Sequence, residues 1–333
     1  MTVKSKLDNS STSVFSSLIG AQPVDVIVVG AGLTGLCAAL SALERQARVV
    51  LVDQSTRLYA NIDAKQSLYV NAVDPERQGE LGIIDSPELF YQQTLKSGLN
   101  RADPRLVKQL CYKAYIGLKW IERFGITFES KVRQIPGGTF PRTCVGSDAK
   151  QCRQRLMAAA QTAGVVMLSG MRFESLIKER TGEVVGVVVE DLHGERHRLH
   201  AKAVIMATGG YAGDARMCAR HDSRLEALSS FHGKTSDNGL RNMVEAGAYL
   251  VGMDFVELAL GTPYASGFLP RVVHPLRHIM VNAHGGRVVN EENQAAVREA
   301  VLDEPNRTLR LVTSFEERNR LLPHHKRAVE GLL

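Results

Sequence analysis

The sequence predicts an α/β fold, with a parallel sheet at its start and an antiparallel β-meander further on. Three observations carry that prediction. Residues 26–29 (Val-Ile-Val-Val) and 49–52 (Val-Val-Leu-Val) are short continuous apolar runs rich in β-branched residues. That is the pattern of parallel strands buried on both faces. A glycine-marked turn and a helical run separate them, as in a strand–helix–strand unit. Between residues 171 and 207, apolar runs are divided by turn residues at Thr181-Gly182 and His193-Gly194, which reads as a meander.

The first unit has the richest chemistry. In residues 25–35, Asp-Val-Ile-Val-Val-Gly-Ala-Gly-Leu-Thr-Gly, each glycine has a job. Gly30 allows a tight turn, Gly32 lets the backbone approach a pyrophosphate, and Gly35 lets the helix pack closely on the strand. With Ala31 they form a loop opening onto a helix N-terminus, where free N–H groups and the positive dipole end suit phosphates. Asp53 ends the second strand, about 20 residues past the glycines, where a carboxylate accepts hydrogen bonds from a ribose. Strand, glycines, helix, strand and terminal acid in register predict a Rossmann-like dinucleotide site. The competing reading is an α/β core that merely contains three glycines.

Residues 54–85 lack periodicity and read as a long connection, a class that is usually functional. Asp85-Ser86-Pro87-Glu88 and Asp103-Pro104 read as helix starts, with a polar cap and Pro in the first turn. Leu106, Leu110, Ala114, Leu118 and Ile121 recur at helical spacing, up to Phe124-Gly125. Residues 150–163 predict a helix and 165–168 a strand. The meander strands are 173–177, 184–189 and 196–200, followed by a strand over 203–207 that runs into Thr208-Gly209-Gly210. Small residues there let a backbone approach a ligand closely. A turn at 235–239 leads to a helix over 240–247. An extended region at 279–291 turns at His284-Gly285-Gly286, and the Arg/Glu-rich end, 298–333, reads as helical.

Composition bounds the rest. The 333 residues are 44% apolar and 23% charged, ordinary for a globular protein. No apolar run is long enough to span a bilayer. The Ser/Thr-rich residues 1–23 read as a disordered leader, and a cytoplasmic protein is the expectation. The net charge of +6 reads first as a mildly basic solvated surface, and second as an attraction for an anionic small-molecule substrate or a cofactor's phosphates. No basic block stands out, so nucleic-acid binding has no support.

Cys37, Cys111, Cys144, Cys152 and Cys218 form no CxxC pair, and no disulfide is expected. His193, His197 and His200 look like a metal cluster. However, residues 197 and 200 lie on opposite faces of a strand, and no acid or Cys completes the set. No metal is therefore expected. Arg142 is read either as a surface arginine or as a loop group for an acidic substrate. Arg287 reads as bonded to Glu291 within its hairpin.

Four motifs resemble the FAD-dependent fumarate reductase/succinate dehydrogenase flavoprotein superfamily, especially flavocytochrome-c-like and ketosteroid-dehydrogenase-like members. They are residues 25–35 with Asp53; residues 203–211; Thr235-Ser-Asp-Asn-Gly239 through Ala248; and residues 279–291. The resemblance implies a Rossmann-like FAD-binding domain over 24–254 and the start of an α+β capping domain over 255–333. It implies FAD as cofactor, with Gly30, Ala31, Gly32 and Gly35 at the pyrophosphate and Asp53 at the adenosine ribose. Thr208, Gly209, Gly210 and Asp237 lie near it. It also implies hydride transfer between a C–C single bond and a C=C bond beside an electron-withdrawing group.

The sequence departs from that family at informative places. Leu68 and Tyr69 stand where the family carries Gly-Gly. Ala295 occupies the position of the proton-donating arginine. Arg298 lies three residues on and is the one candidate for that role. Ala259 and Pro270-Arg271 replace other expected polar residues. The chain ends at Leu333, within the expected cap, so exposed apolar surface is anticipated. The alternative reading is a catalytically inactive homologue, or a subunit completed by a second chain.

Overall fold

The computed structural model describes residues 24–56, 67–134, 140–226, 238–253, 255, 278–291 and 293–316. Strand β1 (Val24–Val29) is followed by α1 (Leu33–Leu43) and β2 (Val49–Asp53). Next come β3 (Ser67–Asn71), α2 (Pro75–Gly79), α3 (Pro87–Ser97) and α4 (Pro104–Glu122). Then follow β4 (Thr143–Asp148), α5 (Ala149–Thr162), β5 (Val166–Ser169), β6 (Arg172–Lys178), β7 (Val184–Glu190) and β8 (Arg196–Met206). The last elements are α6 (Ala215–His221), α7 (Asn238–Glu245), β9 (His278–Val281), α8 (Gln294–Asp303) and β10 (Arg310–Thr313).

Six strands form one sheet in the order β5-β2-β1-β8-β7-β6. The first four run parallel, and β8-β7-β6 is the antiparallel meander. Alternate residues of β1 serve two cores. Ile27 and Val29 pack with Val50, Val52, Phe173, Val187 and Leu199. Val28 faces the other way, onto Leu36 and Ala39 of α1 and Leu156 and Met157 of α5. Both faces of the parallel strands are therefore buried, which is why they read as continuous apolar runs.

The predicted helix starts form as read. Ser86 Oγ accepts from Leu89 N at 3.0 Å and Asp103 Oδ1 from Arg105 N at 2.8 Å, each just before a proline. Elsewhere the structure corrects the reading. The stretch 54–85 contains β3 and α2, and β3 pairs with β4. The two strands read at 196–200 and 203–207 are one, β8, which passes from the meander into the parallel sheet. The C-terminal stretch is not all helix, because β10 pairs with β9. In α4 the buried residues are Val107, Cys111 and Leu118, whereas Leu106 and Leu110 are exposed. Two apolar stripes run along this helix at the same spacing, and Phe90 of α3 covers the one bearing Val107 and Cys111.

Candidate functional site

The carboxyl ends of β2, β1 and β8 stand side by side, since Val29 pairs with both Val52 and Met206. In open parallel sheets, ligands sit outside such strand ends. The residues that follow here are Gly30 after β1, Asp53 at the end of β2, and Ala207-Thr208-Gly209-Gly210 after β8.

The glycines divide into two kinds. Gly30 has φ +109°, and a Cβ there would lie 2.3 Å from Ala207 O. A Cβ on Gly35 would lie 1.8 Å from Gly30 O. These two let the turns and α1 close on one another, backbone to backbone. Gly32, Gly209 and Gly210 differ: a Cβ on any of them would meet nothing within 4 Å. They border open space. Helix α1 starts at Gly32 with no side-chain cap and no acid in its first turn, so its N-terminal donors remain available.

Asp53 Oδ2 accepts from Ala31 N at 2.6 Å and Oδ1 from Ser55 N at 2.8 Å. A carboxylate has about four lone-pair sites, so capacity remains for ribose hydroxyls. Ala31 O accepts from Arg153 Nε at 2.8 Å. Arg153 is buried in the first turns of α5, beside buried Cys152. Burial pushes the arginine's pKa down, and the Asp53 charge opposes that. Sequence reasoning missed Arg153. The signal was a cation next to a cysteine on the apolar face of a predicted helix.

Thr208 abuts the start of α7, where a Cβ on Gly239 would lie 2.5 Å from Thr208 Oγ1. Asn238 Nδ2 donates to Phe173 O and Glu174 O at 3.0 Å, pinning α7 to β6. Asp237 lies outside the described residues, as do Ala259, Pro270 and Arg271. Leu68 packs into the core beside α1 and α5, while Tyr69 is 60% exposed.

Arg298 is half-buried on α8 beside Val297. Among the described residues, no hydrogen bond or ion pair joins Arg298 to the glycine loop. Arg142 is neither a surface group nor a free substrate clamp. It is buried, donating from Nε and NH2 to Asp85 at 3.0 and 2.8 Å and from NH1 to Gln93 at 2.7 Å. The expectation that no acid stands by the meander histidines is also corrected. The ligand atoms of Asp191, Glu195 and His197 lie within 4.8 Å of one another. Asp191 works there as a turn clasp, accepting from His193 N and Glu195 N and lying 3.0 Å from His197 Nε2. Arg287 bonds Glu291 at 2.6 Å, and that hydrogen bond above all holds the Glu291 carboxyl down at about 2. All five cysteines are free.

An open backbone cradle with an uncapped helix and an acid in register fits a dinucleotide. The family model for the FAD binding domain matches residues 25–319. The chain belongs to the FAD binding domain family. Its relatives include a fumarate reductase (cytochrome) of Shewanella frigidimarina, 30% identical over 275 residues, covering 80% of this chain and 48% of that protein. A probable fumarate reductase of the same species is 27% identical over 292 residues, covering 86% and 49%. The chain thus spans about half the length of these curated relatives. The open conformation of a flavocytochrome c3 fumarate reductase superposes with a TM-score of 0.75 at 24% identity, over 96% of this chain and 58% of that one. That likeness is one of fold. FAD is the dinucleotide of this family. Among the described residues no helix is long and apolar enough to cross a membrane.

Proposed function

We propose that this chain holds FAD along the β2–β1–β8 edge and forms the flavin-binding part of an oxidoreductase. The reaction in this reading moves a hydride between a C–C single bond and a C=C bond beside an electron-withdrawing group, in a small anionic substrate. The observation that carries it is the division of the glycines: Gly30 and Gly35 close the fold, whereas Gly32, Gly209 and Gly210 leave backbone open to a ligand. In this reading Gly30, Ala31, Gly32 and Gly35 line the diphosphate, which the N-terminus of α1 stabilises. Asp53 accepts from the adenosine ribose. Thr208, Gly209, Gly210 and Asp237 border the rest of the cofactor. Bound FAD supplies the two-electron chemistry. The chain's own residues bind and orient the cofactor. Residues 24–254 act as the FAD-binding unit and 255–333 as part of a capping unit. Arg298 is the candidate proton donor.

A second reading is a non-catalytic homologue, or a subunit completed by a second chain. Two observations favour it. Ala295 stands at the donor position, and Tyr249 and Val251 are 93% and 74% exposed next to the proposed cap. One purification separates the readings. A yellow protein whose bound flavin is reduced by dithionite and reoxidised by an unsaturated acid other than fumarate supports the first. A flavin-bound protein that no unsaturated acid reoxidises supports the second, and a protein that takes up no added FAD overturns the cofactor assignment.

A further inference from the structure

The cradle contains one buried group that its described contacts leave mostly unused. Arg153 is 8% exposed. It makes one hydrogen bond, from Nε to Ala31 O, and it forms no ion pair among the described residues. A guanidinium carries five N–H donors in a planar fork. Four of them, on NH1 and NH2, therefore have no acceptor among those residues. Asp53 is near enough to act on the charge of Arg153 but is not bonded to it. Burying a cation with idle donors is costly unless an acceptor arrives. A cation held only as a prop for Ala31 would need no more than the Nε bond.

We infer that Arg153 recognises the cofactor's diphosphate, its NH1 and NH2 groups donating to phosphate oxygens held over Gly32 and the start of α1. This rests on the FAD reading above and adds a residue to it. Three features select the diphosphate over the ribose. Arg153 grips the carbonyl of Ala31, directly before the open Gly32. The ribose hydroxyls already have an acceptor in Asp53, and a neutral hydroxyl needs no cation. The diphosphate is the anionic part of the dinucleotide, and a guanidinium fork matches phosphate oxygens in pairs. The helix N-terminus and Arg153 then act on one anion from two sides.

The test uses the full chain as wild type, Arg153→Lys and Arg153→Met, freed of flavin. Calorimetry measures the affinity of each for FAD, ADP and adenosine, and circular dichroism checks the fold without ligand. The wild type should prefer ADP to adenosine. Arg153→Met should weaken FAD and ADP roughly 10- to 100-fold, the loss of charge-assisted hydrogen bonds, and leave adenosine unchanged. Arg153→Lys keeps the charge without the fork and should fall between them. It also serves as the test should the methionine variant fail to fold. A variant that keeps the wild-type ratio of ADP to adenosine affinity overturns the inference. Equal losses for ADP and adenosine also overturn it, and leave Arg153 as a prop for Ala31. A folded wild type that binds neither FAD nor ADP sinks the FAD reading itself, which the other outcomes leave standing.

Discussion

Asp53 and Arg153 hold Ala31 from opposite sides. The Ala31 N–H donates to Asp53 Oδ2 at 2.6 Å, and the Ala31 carbonyl accepts from Arg153 Nε at 2.8 Å. One residue ends β2 and the other lies in the second turn of α5, so the loop between β1 and α1 is fixed by two elements that do not flank it. The loop is thereby organised before any ligand arrives, which reduces the ordering cost of binding.

Asp53→Ala should therefore act twice. It removes the proposed ribose acceptor, weakening FAD by about 1–3 kcal/mol. It also frees Ala31 N and Ser55 N, so the ligand-free protein should melt at a lower temperature. Asp53→Asn keeps one acceptor and should recover part of the melting temperature while FAD affinity stays reduced. Calorimetric titration and thermal melts read the two effects separately. Unchanged FAD affinity in Asp53→Ala would remove the ribose role.

The two kinds of glycine predict opposite phenotypes. Gly32→Val should leave the ligand-free fold intact, because a Cβ there meets nothing within 4 Å and the backbone is in an ordinary conformation. It should abolish FAD binding, because the branched side chain fills the pyrophosphate's approach. Gly35→Ala should instead destabilise the chain by about 1–3 kcal/mol or more, since its methyl group would press on Gly30 O. Flavin fluorescence titration with denaturant melts distinguishes them. Tight FAD binding by Gly32→Val would place the cofactor elsewhere.

How much of this could be read from the chain depended on how local the cause was. Strands β1 and β2, the glycine turn and Asp53 are legible because their signals lie within about 30 residues, the span of one strand–helix–strand unit. Strand β3 is not, because its partner is far off: Thr143 Oγ1 bonds Asn71 Oδ1 across 72 positions. Arg142 was misread for the same reason, since Asp85 lies 57 residues earlier. For α4 the period was right and the face was half wrong. Leu106–Leu110 and Val107–Cys111 share one spacing, and only the packing of α3 decides between them. Arg153 escaped because its hydrogen bond goes to a carbonyl 122 positions away.

The Asp85–Arg142 pair predicts a pH signature. Both side chains are buried, at 1% and 6% exposure. Burial pushes the Asp85 carboxyl up, but hydrogen bonds from Arg142, Gln78 and Ser86 N outweigh it and leave its pKa below the ordinary value. A depressed folded pKa gives stability that is present above the unfolded value, about 3.9, and is lost as pH falls through the folded one. Arg142→Met leaves a buried, uncompensated carboxylate and should cost about 3–5 kcal/mol at pH 7. In the variant the carboxyl pKa rises, so protonation relieves the strain. The stability gap between wild type and variant should narrow as pH falls from 7 toward 4. A gap that stays constant in urea melts across that range would mean Asp85 is not what the variant exposes.

Arg298 is half-buried on α8 beside Val297, and no hydrogen bond or ion pair among the described residues ties it to the glycine loop. Ala295 carries no proton to give. Preorganised charges around the reacting carbon usually supply much of an enzyme's rate. The chain alone, loaded with FAD, should therefore show no appreciable reduction of fumarate. The assay is anaerobic oxidation of a reduced dye with fumarate as acceptor. Turnover near a typical enzyme's ~10 per second, abolished in Arg298→Ala but retained in Arg287→Lys, would overturn this and make Arg298 the proton donor. Turnover that survives Arg298→Ala would also overturn it, and would place the donor on a residue not yet considered.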